Sequence, residues 1–124
     1  MASSLLVVDD DDHIRAMLQR GLGYEGFQVT VADDGERALG LLRSSPVDCI
    51  VLDVRMPQLD GLEVCEILAG LHLPLSTRIA LISGEVNETL AAAASAMGLA
   101  AVLSKDSTRH QLCERIVAIG DSAG

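Results

Sequence analysis

The fold of this chain is decided by residues 48–61, which read DCIVLDVRMPQLDG. Residues 49–52 form a short apolar run rich in branched side chains, which favours a strand covered on both faces. Asp53 stands where the run ends, and the Pro57 and Gly61 that follow indicate a turn before a helical pattern resumes. Ligands of open parallel sheets bind outside the carboxyl ends of the strands. Asp53 is therefore either a nucleophile or metal ligand, or only a cap for the turn.

Outward from this stretch, strand-like and helix-like patterns alternate five times along the chain. Further strands are predicted by the short apolar runs at residues 5–8, 27–32, 79–82 and 100–103. Helices are predicted where apolar residues recur at helical spacing, at about residues 12–22, 38–42, 62–68, 87–97 and 108–119. This alternation predicts one α/β domain over residues 1–124, with a parallel sheet and helices on both of its faces.

Capping and breaking residues predict where the helices begin and end. Asp11 or Asp12 can cap the first helix, because a carboxylate accepts hydrogen bonds from the free amide groups there. Gly98 is expected to stop the fourth helix and Gly120 the fifth, which leaves a short polar tail. A loop is expected around Pro74.

The composition excludes several functional classes. The chain is 49% apolar and 22% charged, which is typical of a globular domain. Nine lysines and arginines against 18 acids give a formal charge of −9, which argues against direct nucleic-acid binding. Three cysteines in apolar patterns favour free thiols in a reducing compartment. With no signal-peptide pattern and no apolar run near the roughly 20 residues of a membrane span, we expect a cytoplasmic protein without membrane contact.

Residues of complementary chemistry follow four of the five predicted strands. Asp9 and Asp10 come after the first strand, Asp53 after the third, Ser83 after the fourth and Lys105 after the fifth. In a sheet of order 2-1-3-4-5 the first and third strands are neighbours, so their carboxylates converge. Three crowded carboxylates repel one another and raise each other's pKa values, and a divalent cation would relieve this repulsion.

The carboxylates, the hydroxyl and the ammonium group at these strand ends are the groups that phosphoryl transfer needs. Magnesium prefers one or two carboxylates with waters and a phosphate oxygen, and Asp10, Asp53 and a backbone carbonyl would supply the protein's share. Lys105 and Ser83 would meet the oxygens of the phosphoryl group, and Asp53 would be the nucleophile that forms an acyl phosphate. Each residue also has a plainer interpretation as a helix cap, a turn or a solvated side chain. Their combination favours a functional site.

At these residues the chain resembles the receiver domain of two-component response regulators, along nearly its whole length. Residues 5–11, LLVVDDD, are similar to the acidic opening of that family. Residues 52–61, LDVRMPQLDG, are similar to its phosphoacceptor motif, with the Met-Pro-x-x-Asp-Gly tail intact. The spacings from Asp53 to Ser83 and from Ser83 to Lys105 agree as well. The resemblance implies a doubly wound, flavodoxin-like α/β fold with five parallel strands in the order 2-1-3-4-5.

The resemblance also implies how the acidic residues act. Asp53 would accept the phosphoryl group from a histidine kinase or a phosphotransfer protein. Mg²⁺ would be bound directly by Asp10, by Asp53 and by the backbone carbonyl of Arg55, while Asp9 would act largely through water. The domain would not be an enzyme beyond its own phosphotransfer and autodephosphorylation.

Ser83 and Lys105 are implied to hold the phosphoryl group and to shift when it arrives. Because they lead into the fourth and fifth helices, we expect the output surface on the fourth helix, the fifth strand and the fifth helix. Its partner would be an output domain, another protein or a second copy of the domain.

Some positions depart from the family pattern or tune it. Val102 stands three positions before Lys105, where many receivers carry an aromatic residue, so phosphorylation is expected to bias the conformation less. Gly84 takes a site often held by alanine and leaves access to the phosphoryl group open. Arg55 and Glu85 each lie two residues past a pocket residue and are expected to tune the phosphoryl lifetime, by pairing or by obstructing water. The alternative is that they are two solvated loop charges.

Two other functions remain open at this point. A degenerate receiver would bind its partner constitutively, without phosphate, and Val102 keeps this alternative open. A phosphatase of the haloacid dehalogenase class also uses an aspartyl nucleophile and magnesium, and Asp9-x-Asp11 fits its opening motif superficially. Turnover of a phosphate monoester would favour the phosphatase.

Overall fold

The computed structural model describes residues 3–71 and 77–123, and the loop predicted around Pro74 lies outside them. Five strands alternate with five helices along the described chain. In chain order the elements are β1 (Ser4–Val8), α1 (Asp12–Tyr24), β2 (Gln28–Ala32), α2 (Gly35–Ser44), β3 (Cys49–Asp53), α3 (Gly61–Ala69), β4 (Arg78–Ser83), α4 (Glu88–Ala96), β5 (Ala101–Ser104) and α5 (Arg109–Ala123).

The strands form one parallel sheet in the order β2-β1-β3-β4-β5, which confirms the predicted fold class. In the pairing of β1 with β3, Val8 lies opposite Leu52. In the pairing of β3 with β4, Asp53 lies opposite Ile82. The residues that follow β1 and β3 therefore emerge side by side at one edge of the sheet.

Two hydrophobic clusters lie on the two faces of the sheet, because successive side chains of a strand point to opposite faces. Leu6 and Val8 pack with side chains of α2, α3 and α4. Leu5 and Val7 pack with side chains of α1 and α5. All five residues of β3 are buried, as its unbroken apolar run predicted.

The helix ends are set by local hydrogen bonds, and one predicted end is wrong. Asp11 is the cap of α1, since its carboxylate accepts from the amides of His13 and Ile14. Gly98 follows α4 with φ of 72°, as predicted for a helix stop. Gly120 does not end α5, which continues to Ala123.

Gly120 instead permits a close contact inside the fold. A Cβ atom at this position would lie 2.6 Å from Cε1 of Phe27. The glycine therefore lets α5 approach the aromatic ring, and a breaker signal in the sequence is here a packing requirement.

Among the described residues, none of the helices is both long and apolar enough to cross a membrane.

Candidate functional site

The acidic residues predicted to form the site come together at the carboxyl edge of the sheet. Asp9 follows β1 and is fully buried, Asp53 ends β3 and is 2% exposed, and Asp10 is exposed. One carboxylate oxygen from each of the three lies within 4.8 Å of the others. Such a set of oxygens suits a hard divalent cation.

Gly61 explains why the β3–α3 loop closes tightly against the site. Its amide donates to the carbonyl of Val54 at 2.8 Å. A Cβ atom on Gly61 would lie 2.4 Å from the carbonyl oxygen of Asp53. The glycine of the Met-Pro-x-x-Asp-Gly tail therefore allows the start of α3 to lie against the backbone of Asp53, which fixes where that carboxylate stands.

Lys105 reaches both buried carboxylates. Its Nζ lies 3.1 Å from Oδ2 of Asp9 and 3.1 Å from Oδ2 of Asp53. It also donates a hydrogen bond to Oδ1 of Asp9 at 3.4 Å. The two Oδ2 atoms contact the ammonium group without hydrogen-bond alignment, and neither has a hydrogen-bond partner. Two buried carboxylate oxygens therefore share one ammonium group and have no hydrogen-bond partner of their own at the centre of the site, and the residues present fit a metal ion there.

The electrostatics of the site follow from burial and crowding. Burial, and then the negative charge of Asp9, raise the pKa of Asp53 from 3.8 to about 7, although Lys105 opposes both. Burial disfavours the ammonium form of Lys105, but its hydrogen bonds and its attraction to Asp9 and Asp53 outweigh this and raise the pKa of Lys105. The buried carboxylates of the site therefore repel each other, and a cation bound among them would reduce this repulsion.

A pH dependence of stability follows from the raised pKa of Asp53. Its folded-state pKa of about 7 exceeds the ordinary 3.8, so the folded protein holds the proton more tightly than the unfolded chain. This contribution to stability is complete below pH 3.8 and is lost as the pH rises through about 7. Without magnesium, Asp53→Asn should raise the free energy of unfolding at pH 8 by on the order of 2 kcal/mol.

Thermal unfolding in a chelator between pH 5 and pH 8.5 measures this effect. The wild-type melting temperature should fall toward pH 8, and that of Asp53→Asn should fall less. Asp33→Asn is the control, because Asp33 is exposed after β2 at the same edge of the sheet. Parallel curves for wild type and Asp53→Asn would contradict the raised pKa.

Ser83 lies at the site, but its hydroxyl is hydrogen-bonded to the backbone of the loop that follows β4. It is 2% exposed at the end of β4. Its hydroxyl donates to the carbonyl of Glu85 at 3.0 Å and accepts from the amide of Glu85 at 3.1 Å. The donor bond to the Glu85 carbonyl must be exchanged before this hydroxyl can donate to a group on Asp53.

The remaining predicted positions surround the mouth of the site. Arg55 Nη2 pairs with Glu85 Oε2 at 3.1 Å, with side chains 79% and 66% exposed. A Cβ atom on Gly84 would have no atom within 4 Å, so this side of the mouth is open. Val102 lies half-buried in β5 and packs against the cluster on the α4 side of the sheet.

Arg15 also contacts the site, and the sequence did not indicate it. Its guanidinium donates to the backbone carbonyl of Asp9 at 2.8 Å and pairs with the carboxylate of Asp12. A basic residue three positions after an acid at a helix start was the one signal that could have drawn attention to it.

With this geometry established, comparison with known proteins decides the family. The family profile described as "Response regulator receiver domain" matches residues 5–117. The chain belongs to the response regulator receiver domain family. The resemblance found in the sequence is confirmed, and this receiver domain is a signal-transduction module of two-component systems.

The curated relatives of the receiver domain are longer proteins. Response regulator MprA of Mycobacterium tuberculosis (strain H37Rv) is 43% identical over 91 residues, which are 73% of this chain and 40% of that protein. Response regulator MprA of Mycolicibacterium vanbaalenii is 49% identical over 77 residues, which are 60% of this chain and 33% of that protein. The chain thus spans at most two fifths of the length of these relatives.

Solved structures of similar length share the fold. The chemotaxis protein CheY4 of Vibrio cholerae superposes with a TM-score of 0.89 at 26% identity, covering 96% of this chain and 99% of that chain. The signal receiver domain of the putative response regulator NarL from Mycobacterium tuberculosis superposes with a TM-score of 0.84 at 32% identity, covering 97% of each chain.

Proposed function

We propose that this receiver domain accepts a phosphoryl group on Asp53 from a histidine kinase or a phosphotransfer protein, in a magnesium-dependent reaction in the cytoplasm. One observation carries the proposal. Oδ2 of the buried Asp53 carboxylate has no hydrogen-bond partner and lies 3.1 Å from the ammonium group of Lys105, and the carboxylate shares its crevice with Asp9 and Asp10. Treatment with a small-molecule phosphoryl donor tests it.

Mg²⁺ would be held by the carboxylates of Asp10 and Asp53 and by the backbone carbonyl of Arg55, with Asp9 acting largely through water. Support comes from the three converging carboxylates and from the two buried oxygens without hydrogen-bond partners. When bound, the ion would supply positive charge to the acceptor carboxylate and to the oxygens of the arriving phosphoryl group.

The chain's own residues would carry out the transfer. A carboxylate oxygen of Asp53 forms a bond to phosphorus as the phosphorus–nitrogen bond of the donor phosphohistidine breaks, and the leaving imidazole takes the bonding electrons and a proton. Lys105 leaves Oδ2 of Asp53 and pairs with a phosphoryl oxygen. Ser83 exchanges its bond to the Glu85 carbonyl for a bond to another phosphoryl oxygen. Arg55 and Glu85 border the path of attacking water, and tune how long the acyl phosphate lasts.

This chemistry is self-modification and autodephosphorylation, without turnover of an external substrate. A phosphatase of the haloacid dehalogenase class would use the second aspartate of Asp9-x-Asp11 at the reacting atoms. Here the carboxylate of Asp11 caps α1, and the amides of Ile14 and His13 lower its pKa. A group that is engaged in this way is a poor general acid, so the receiver function is favoured.

The signal would leave through α4, β5 and α5, because Ser83 and Lys105 move at the ends of the strands that lead into them. A partner protein, an output domain or a second copy would bind there. Beryllofluoride, a phosphoryl mimic, should therefore perturb the amide chemical shifts of Glu88–Ala96, Ala101–Ser104 and the start of α5. With Val102 in place of an aromatic residue, the shifts should be partial and should grow when a partner binds.

Asp53→Asn with beryllofluoride provides the control and should give no change. Perturbations confined to α1 and α2, with α4 silent, would show that the output surface lies elsewhere. A partner that binds equally well with and without beryllofluoride would favour the constitutive, degenerate receiver.

A further inference from the structure

The side chain of Arg15, in α1, contacts the acidic residues that follow β1. Its side chain is 20% exposed, whereas that of its ion-pair partner Asp12 is 87% exposed. Nη1 donates to the backbone carbonyl of Asp9 at 2.8 Å, and Nη2 pairs with Oδ1 of Asp12. The planar guanidinium therefore links the end of β1 to the first turn of α1 through its two terminal nitrogens, which a single lysine ammonium group cannot reproduce.

With this contact, nearly every polar group of Asp9 has a partner. Its amide donates to the carbonyl of Ala32 at 3.2 Å, and its Oδ1 accepts from the amide of Asp11 at 2.9 Å. Oδ2, which contacts Lys105, is the atom left without a hydrogen bond. Asp9 is thus fixed in backbone and side chain before any cation arrives.

The contact also orients the next residue. The carbonyl of Asp9 and the amide of Asp10 belong to one planar peptide unit, so a donor that fixes the carbonyl also fixes the position of the Asp10 Cα atom, from which the side chain starts. Asp10 is exposed, and burial does not hold it in place. The backbone contact with Arg15 on one side of Asp10, together with the hydrogen bond from the Asp11 amide to Asp9 on the other, therefore limits the positions that its carboxylate can reach.

Arg15 restrains the Asp9–Asp10 backbone without occupying the carboxylate oxygens that a cation would bind. Its two acceptors are a backbone carbonyl and the carboxylate of Asp12, neither of which is in the three-carboxylate cluster. Lys105 differs in this respect, because it contacts the carboxylates of Asp9 and Asp53 themselves.

We propose that Arg15 is a positioning residue for divalent-cation binding. It holds the Asp9–Asp10 peptide so that both carboxylates already lie at the cation site before the cation binds. This inference rests on the magnesium site of the proposed function.

Magnesium titrations followed by calorimetry at pH 8 test the proposal. Arg15→Gln should weaken Mg²⁺ binding by roughly 10-fold, the loss typical when a partner that orients a metal ligand is removed. Arg15→Lys can restore one of the two contacts and should recover part of the affinity. Asp12→Asn removes the exposed ion pair but keeps the carbonyl contact, and should change the affinity by less than about threefold.

Arg20→Gln is the matched control, an exposed arginine of the same helix that should bind Mg²⁺ like the wild type. Amide chemical shifts of the ion-free Arg15→Gln variant should change at residues 9–12 and leave β3 unaltered, which separates misplacement from unfolding. Affinity of Arg15→Gln within twofold of wild type, or an equal loss in Arg20→Gln, would overturn the proposal. Failure of the wild type to bind Mg²⁺ at all would instead refute the proposed magnesium site.

Discussion

Asp53→Asn should abolish phosphorylation of this protein by acetyl phosphate in the presence of Mg²⁺. An asparagine amide has nearly the size of the carboxylate but lacks the anionic oxygen that attacks phosphorus. The wild type should gain one phosphoryl group by intact-mass measurement, and the adduct should be removed by hydroxylamine, as an acyl phosphate is. The variant should show no adduct under conditions that fully modify the wild type.

Asp33→Asn controls for the loss of one negative charge at the same edge of the sheet and should be phosphorylated like the wild type. An adduct on Asp53→Asn would show that the acceptor is another residue. Release of inorganic phosphate from a phosphate monoester over many turnovers would favour the phosphatase.

Asp10→Asn should weaken Mg²⁺ binding by at least about 10-fold. Asp10 is the exposed member of the three-carboxylate cluster. Asp10 and Asp53 are the two carboxylates proposed to bind the ion directly, so the variant would retain one of them, Asp53. The titration should be carried out at pH 8, which is above the pKa of about 7 of Asp53, so that this carboxylate is ionised in both proteins.

The same titration on Asp33→Asn measures the effect of a general change in surface charge, and we expect no more than about a twofold loss there. Equal affinities for wild type and Asp10→Asn would contradict the assignment of Asp10 as a ligand. Tighter binding by Asp10→Asn would place the cation outside the cluster.

The strand order could be predicted because the controlling signals are local. Each strand is a short apolar run, and parallel strands need helical crossovers. The first four helices begin after an aspartate or asparagine cap, and α5 begins after Thr108, whose hydroxyl accepts from the amide of Gln111. Gly120 was misread because a breaker and a packing glycine look the same in a sequence. Only the approach of the Phe27 ring distinguishes them.

The meeting of the site residues could likewise be predicted, since topology alone brings strand ends together. The side-chain contacts could not. Lys105 was predicted to meet a phosphoryl group, and nothing in the sequence indicated that it also pairs with Asp9 and Asp53. Ser83 was likewise predicted to hold the phosphoryl group, and its two hydrogen bonds with the backbone of Glu85 were not foreseen. Both contacts depend on side-chain and loop geometry in three dimensions, which the order of residues in the sequence does not specify.

One residue, Glu85, joins the Ser83 hydroxyl to the ion pair at the mouth of the site. Its backbone holds Ser83, and its side chain pairs with Arg55. A displacement of Ser83 toward a phosphorylated Asp53 therefore strains the ion pair, and by linkage the ion pair opposes the displacement by the same free energy. An exposed pair of this kind contributes less than about 1 kcal/mol and is screened by salt. We therefore expect ionic strength to shift the resting population of the loop by up to about fivefold, so that the loop would respond to the salt content of its surroundings as well as to the proposed phosphorylation.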